Sequence, residues 1–303
     1  MKRFLIVCFL GFLGALLLFW GVPILRIALA QPRLDAQFTL PPGTEVLCIG
    51  DSRVGCTFVD DPALRNWVLW TSSISYSVRL GFLKNLRRLG QLRPGMTVVS
   101  EIGPHEIAHY SDTDWQRHVW GKALSVNWRY PRYWPAPSLL VDYLSVTLPH
   151  QKEFFVTLEK VTEDAPPLTE RDAHERQTHT QEMLAGHYDP AAYTTYAERT
   201  LRRDLLDLKR FCADNRLRLI LFTAPLDSWY RAQAPEWGKA DFARLQGWLR
   251  TEGFDYHDCS DTMEDFWMRD SVHLRLCGAK RFTAWFFARY VSHDGTSRAQ
   301  ANR

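Results

Sequence analysis

Two short blocks of this sequence hold the side chains that a serine nucleophile needs. The first is Gly50-Asp51-Ser52-Arg53, entered from the apolar run Val46, Leu47, Cys48 and Ile49. The second is Asp270-Ser271-Val272-His273-Leu274, far downstream. A serine hydroxyl is a weak nucleophile at neutral pH and acts only with a base in hydrogen-bond reach and a third group that orients the base. Asp270 and His273 stand three positions apart, a spacing that puts both side chains on one face of a turn. Asp270 can then hold one imidazole nitrogen while the other faces Ser52. Arg53 suits a carboxylate or phosphate of a substrate, or a salt bridge to a nearby acid.

The elements around these blocks decide whether they meet. Residues 46–50 read as a buried strand ending in a tight turn, which leaves the Ser52 hydroxyl at the carboxyl edge of a sheet. Residues 67–70 offer a second strand. Residues 76–92 carry a helical stripe of Val78, Leu80, Leu83, Leu86, Leu89 and Leu92, with Arg79, Lys84, Arg87 and Arg88 between its members. A third strand over 97–102 closes at Gly103-Pro104, which sets His105 and Glu106 at the same sheet edge. Strand, helix and strand with short turns predict a parallel sheet with right-handed crossovers. The pattern resumes with a helix over 196–213, a strand over 217–223, a helix over 242–249, a short strand over 254–256 and a last helix over 278–291, just after His273.

Residues 108–195 between these halves form a less regular insertion. It begins with a dense aromatic and basic segment containing Trp115, Trp120 and Trp128. Its rings can pack on the sheet edge, stack on sugars, or form a lid at a membrane interface. Residues 162–187, with Pro166 and Pro167, read as a solvated excursion. His174 and His179 within it have no ligand partner at a metal spacing, His257-Asp258 follows the last strand but is not set in a block like that of Asp270 and His273, and no cofactor or metal is expected. Of six cysteines, Cys48 reads as a small core residue; a disulfide among the others has no readable connectivity.

The formal charge of +3 is carried entirely by Lys2, Arg3 and Arg26, so the rest of the chain is balanced and charge gives no support to nucleic-acid binding. Lys2 and Arg3 precede an uncharged run over 4–25, which as a helix is about 33 Å long and matches a bilayer core. Positive charge before the run predicts a cytoplasmic N-terminus and an exported remainder. Ala28-Leu29-Ala30 offers the competing reading of a cleaved signal peptide. The expected organisation is a membrane anchor or signal segment over 1–30, a Pro-containing linker over 31–43, one α/β domain over 44–291 and a polar tail over 292–303.

Gly50-Asp51-Ser52, and Asp270 and His273 with Leu274 and Gly278-Ala279 behind them, resemble the first and last blocks of the SGNH (GDSL-like) hydrolases. The order of elements over 44–110 and 196–291 fits as well. The resemblance implies a flavodoxin-like three-layer α/β/α sandwich and a triad of Ser52, His273 and Asp270. The family draws oxyanion-hole donors from a glycine of its second block and an asparagine of its third. Here those places read Thr71-Ser72-Ser73 and Gly103-Pro104-His105-Glu106, which leaves Ser52, Ser72, Ser73 and Gly103 as candidates. The N-terminal span followed by Gly-Asp-Ser-Arg is similar to membrane-anchored members that work beside membrane-bound O-acyltransferases on cell-envelope polymers. The implied function is a membrane-tethered serine esterase or O-acyltransferase, outside the cytoplasm, acting on an acylated glycan or lipid-linked substrate. Arg53, His105, Glu106, Trp115, Trp120 and Trp128 are its candidate substrate contacts. Two alternatives stand beside it: a non-catalytic carbohydrate-binding or assembly partner, and a lysophospholipase-like lipid esterase.

Overall fold

Four short apolar runs become parallel strands because each alternates its side chains between two apolar layers, and a fifth, polar run pairs at the edge. The computed structural model describes residues 2–71, 75–106, 124, 126–127, 129, 159–161, 163–170, 172–188 and 195–292. The strands are β1 (Val46–Gly50), β2 (Asn66–Trp70), β3 (Thr97–Glu101), β4 (Arg218–Thr223) and β5 (Asp255–Asp258). They lie in the order β2-β1-β3-β4-β5, every neighbouring pair parallel. That is the doubly wound 2-1-3-4-5 order, whose direction reverses between β1 and β3 and leaves a crevice at their carboxyl ends.

One side of the sheet presents Leu47, Ile49, Val98 and Leu221. It is covered by α3 (Tyr76–Arg88), α5 (Thr195–Asp214) and α7 (Glu236–Thr251), through Leu83, Leu86, Leu205, Leu208, Leu245 and Leu249. The other side presents Val46, Cys48, Val99, Ile220 and Phe222 to α2 (Ser52–Thr57) and α8 (Leu276–Phe286), where Phe58 meets Phe286 edge to face and Phe282 packs tilted against both. The expected α/β sandwich with a parallel sheet is therefore present, with strand and helix ends within a few residues of the expected ones. The stripe expected to run to residue 92 stops as a helix at Arg88.

Two expected segments differ. Residues 31–43 are not an extended linker: α1 (Lys2–Gln37) is one helix that passes through Pro32. Docking overrides local composition there. Asp35 pairs with Arg88, Phe38 packs edge-on against Phe82 at 5.3 Å, and the Leu40 amide donates to Gln91 Oε1 at 3.3 Å. Among the described residues, no helix is long and apolar enough to cross a membrane. Residues 162–187 are not a solvated excursion either. They contain α4 (Ala173–His187), and Leu168 before it is fully buried, with its amide bonded to the Met268 carbonyl. A further short helix, α6 (Ser228–Gln233), follows β4. All six cysteines are free thiols.

Candidate active site

Ser52 is delivered by a turn that only glycine can make. A methyl group on Gly50 would sit 2.2 Å from Val54 Cγ2, so α2 can fold back on β1 only because residue 50 has no side chain. Asp51 caps α2 by accepting the Arg53 backbone N–H at 2.9 Å. The second block is a small closed loop. Met268 bridges Leu274 antiparallel, and the Arg269 amide donates to the His273 carbonyl at 2.9 Å. Inside it, Asp270 Oδ1 accepts the amides of Val272 at 3.0 Å and His273 at 2.9 Å.

The two blocks meet across the crevice. Ser52 Oγ lies 3.0 Å from His273 Nε2, and His273 Nδ1 lies 3.0 Å from both carboxylate oxygens of Asp270. Burial disfavours the charged form of Asp270, but the facing His273 ring, the Val272 amide and Arg269 outweigh it and hold the carboxyl well below the usual range. An ionised Asp270 only accepts, so His273 Nδ1 must carry the proton of a neutral ring. Its Nε2 then turns a lone pair to the Ser52 hydroxyl.

Beneath Ser52 is a buried cluster of charges that motif spacing did not show. Arg53 is 3 % exposed, Arg79 and His105 1 %, and Glu101 and Glu106 0 %. Arg53 Nη1 donates to Glu101 Oε1 at 3.3 Å and its Nη2 lies 3.3 Å from His187 Nδ1. Arg79 donates to Glu106 Oε1 at 2.6 Å and to the Glu101 carbonyl, stands 3.7 Å from Asp51 Oδ2, and lies over the Tyr76 ring at 4.3 Å. His105 Nε2 is 3.6 Å from Asp51 Oδ2. Arg53, His105 and Glu106, the expected substrate contacts, are buried and face inward, where each meets a charged group of another element of the fold. Five residues of this cluster, Tyr76, Arg79, Glu101, His187 and Tyr230, were not expected at the site. Only the strand-end position of Glu101 carried any hint.

Gly103 belongs to the same cluster. A methyl there would lie 2.6 Å from Arg53 Nη1, 2.6 Å from His105 Nδ1 and 2.7 Å from Glu101 Oε1. Its missing side chain leaves room for the ion pairs. Gly103→Ala is accordingly expected to destabilise the fold by about 1–3 kcal/mol, as overpacking does, which urea unfolding measures; an unchanged midpoint would refute the packing.

Asp51, Glu101, His105 and Glu106 each turn one donor atom to within 4.8 Å of the others, the spacing of a metal site. The charges argue otherwise. Three carboxylates face two guanidiniums, an excess of one negative charge, which a single proton, on a carboxyl or on His105 beside Asp51, cancels and a divalent cation overshoots. Burial and the charge of Asp51 raise Glu101, and burial likewise raises Glu106 against the pull of Arg79. A shared proton is thus the counter-charge these residues fit. Ser72, Ser73, Trp115, Trp120 and Trp128 lie outside the described residues.

No protein family matches the chain by sequence profile, and no curated protein matches it by sequence. Among solved structures, the chain is similar to an inferred acylhydrolase from Bacteroides fragilis, with 12% identity, a TM-score of 0.34, and coverage of 81% of this chain and 86% of that one. At that overlap the likeness carries no argument about activity.

Proposed function

We propose that this protein is a serine esterase or O-acyltransferase. The observation that supports it is the relay of Ser52 Oγ, His273 Nε2, His273 Nδ1 and Asp270, with 3.0 Å at each link. Ser52 Oγ attacks the acyl carbonyl as its proton passes to His273 Nε2. The alkoxide leaves with that proton, and an acyl-serine remains. Water or a sugar hydroxyl then gives a proton to the same nitrogen and attacks the acyl-serine, which makes the outcome hydrolysis or transfer. Asp270 stays ionised throughout and stabilises the transient imidazolium. The Ser52 backbone amide serves as one oxyanion donor in this reading. In this reading the uncharged run over 4–25 tethers the chain at a membrane surface, the domain stands outside the cytoplasm, and the substrate is an acylated envelope glycan or lipid-linked polymer, with a membrane-bound O-acyltransferase as partner.

The test uses the full chain in detergent, a fluorophosphonate probe and p-nitrophenyl acetate. Labelling and acetate release are expected to disappear in Ser52→Ala. Labelling that survives the substitution would sink the assignment of the nucleophile. One observation favours a second reading, a binding protein without turnover: His105, at the place of the family's oxyanion asparagine, is buried against Asp51 rather than turned outward. Under that reading neither protein is labelled, and Ser52→Ala binds glycan as the wild type does.

A further inference from the structure

The structure assigns α4 as a clamp that holds the two halves of the triad in register, with Thr180 and His187 as positioning residues. The assignment rests on the reading of Ser52 as nucleophile only where it concerns rate. In a helix of 15 residues, the buried ones are Thr180 and His187, both polar. A helix normally docks through an apolar stripe. Here only Met183 and Leu184 are apolar and partly buried, so polar contacts decide where it sits.

Both contacts land next to the triad, on opposite sides. Thr180 Oγ1 is 2.9 Å from Ser271 Oγ, and both residues are 0 % exposed. Ser271 stands between Asp270 and the two residues whose amides Asp270 Oδ1 accepts. One helical span further on, His187 lies 3.3 Å from Arg53 Nη2 and 2.8 Å from the Tyr230 hydroxyl. Arg53 is the residue after the nucleophile. The N-terminal part of α4 is pinned by Arg176, which pairs with Asp227 and Asp265, and the Asp227 amide in turn donates to the Ser271 carbonyl at 3.0 Å. One helix thus touches the loop of the base at Ser271 and the turn of the nucleophile at Arg53. These blocks are 221 residues apart in the chain and meet directly through the Ser52 to His273 contact.

Thr180→Val keeps the shape and removes the hydroxyl, which leaves a buried Ser271 hydroxyl without that partner. Two readouts on the full chain test the clamp. In the first, hydrogen exchange at the Val272 and His273 amides is expected to speed up about ten-fold, the scale of one buried hydrogen bond. Exchange in β3 and β4 stays unchanged, and Thr180→Ser restores wild-type protection. In the second, the fluorophosphonate labelling rate is expected to fall about ten-fold with the midpoint for p-nitrophenyl acetate unchanged, because a misplaced base slows the chemical step without touching binding. Thr180→Ser again restores it. Exchange at both amides within about two-fold of wild type overturns the clamp. Wild-type labelling at a residue other than Ser52 overturns the nucleophile instead, and the exchange readout still decides the clamp.

Discussion

Asp270→Asn is expected to lower kcat for p-nitrophenyl acetate by about 10³- to 10⁴-fold, the scale seen when the orienting acid of a serine triad loses its charge. The geometry explains why so small a change acts so strongly. The oxygen of the introduced carboxamide can still accept the Val272 and His273 amides, so the loop keeps its shape. Its NH₂ group then faces His273 Nδ1, and only the tautomer with the proton on Nε2 satisfies that contact. The lone pair that should receive the Ser52 proton is gone. A loss below ten-fold would refute the relay. Stability near neutrality should fall as well, because the charge that Asn removes is stabilising there. The depressed pKa of Asp270 contributes stability that is present above its unfolded value, about 3.9, and is lost as pH falls through the lower folded value. Acid unfolding of Asp270→Asn should therefore be shallower than that of the wild type.

The second large effect is expected from Arg79→Met. Arg79 is fully enclosed and answers Glu106, Asp51 and the Glu101 carbonyl at once. Its removal leaves buried carboxylates uncompensated, which typically destabilises by about 3–5 kcal/mol; urea unfolding reads the loss. Adding Glu106→Gln should recover part of it, because the stranded charge then disappears, and a double variant no more stable than Arg79→Met would contradict the pairing. The same cluster sets a pH dependence in the wild type. Burial raises Glu101 to about 8 and Glu106 to about 7. A carboxyl with a raised folded pKa holds its proton more tightly in the folded protein, so unfolding releases that proton and stability falls as pH rises. The slope for one proton is about 1.4 kcal/mol per pH unit, between the unfolded value near 4.5 and the raised values. Urea midpoints that stay level or climb from pH 5 to pH 8 would contradict the shared proton.

The contact of Ser52, His273 and Asp270 was legible because each of its parts is local. An apolar run ending in Gly-Asp-Ser places a hydroxyl at a strand end, and three-residue spacing pairs an acid with an imidazole, whatever the rest of the chain does. The parallel sheet was legible for the same reason, since short turns force neighbouring strand-helix-strand units into parallel register, but the order of its strands was not. The buried cluster was not, because its members declare themselves only in space. Arg79 sits among Lys84, Arg87 and Arg88 in the sequence and looks like another solvated charge, yet its partners come from two segments more than twenty residues away. His187 was hidden for a different reason. The helix that carries it has no apolar stripe, so periodicity offered nothing to read, and its partners Arg53 and Tyr230 are 134 and 43 residues distant. The helical state of residues 31–37 depends likewise on Arg88 and Phe82, which no local pattern reveals.

The continuity of α1 into the domain has a mechanical consequence. A slack connection would let the crevice tumble independently of the first residues of the chain. A helix that ends in an ion pair at Asp35 and a ring contact at Phe38 transmits torque instead. A rotation imposed on the start of α1 is therefore passed on to the body that carries Ser52.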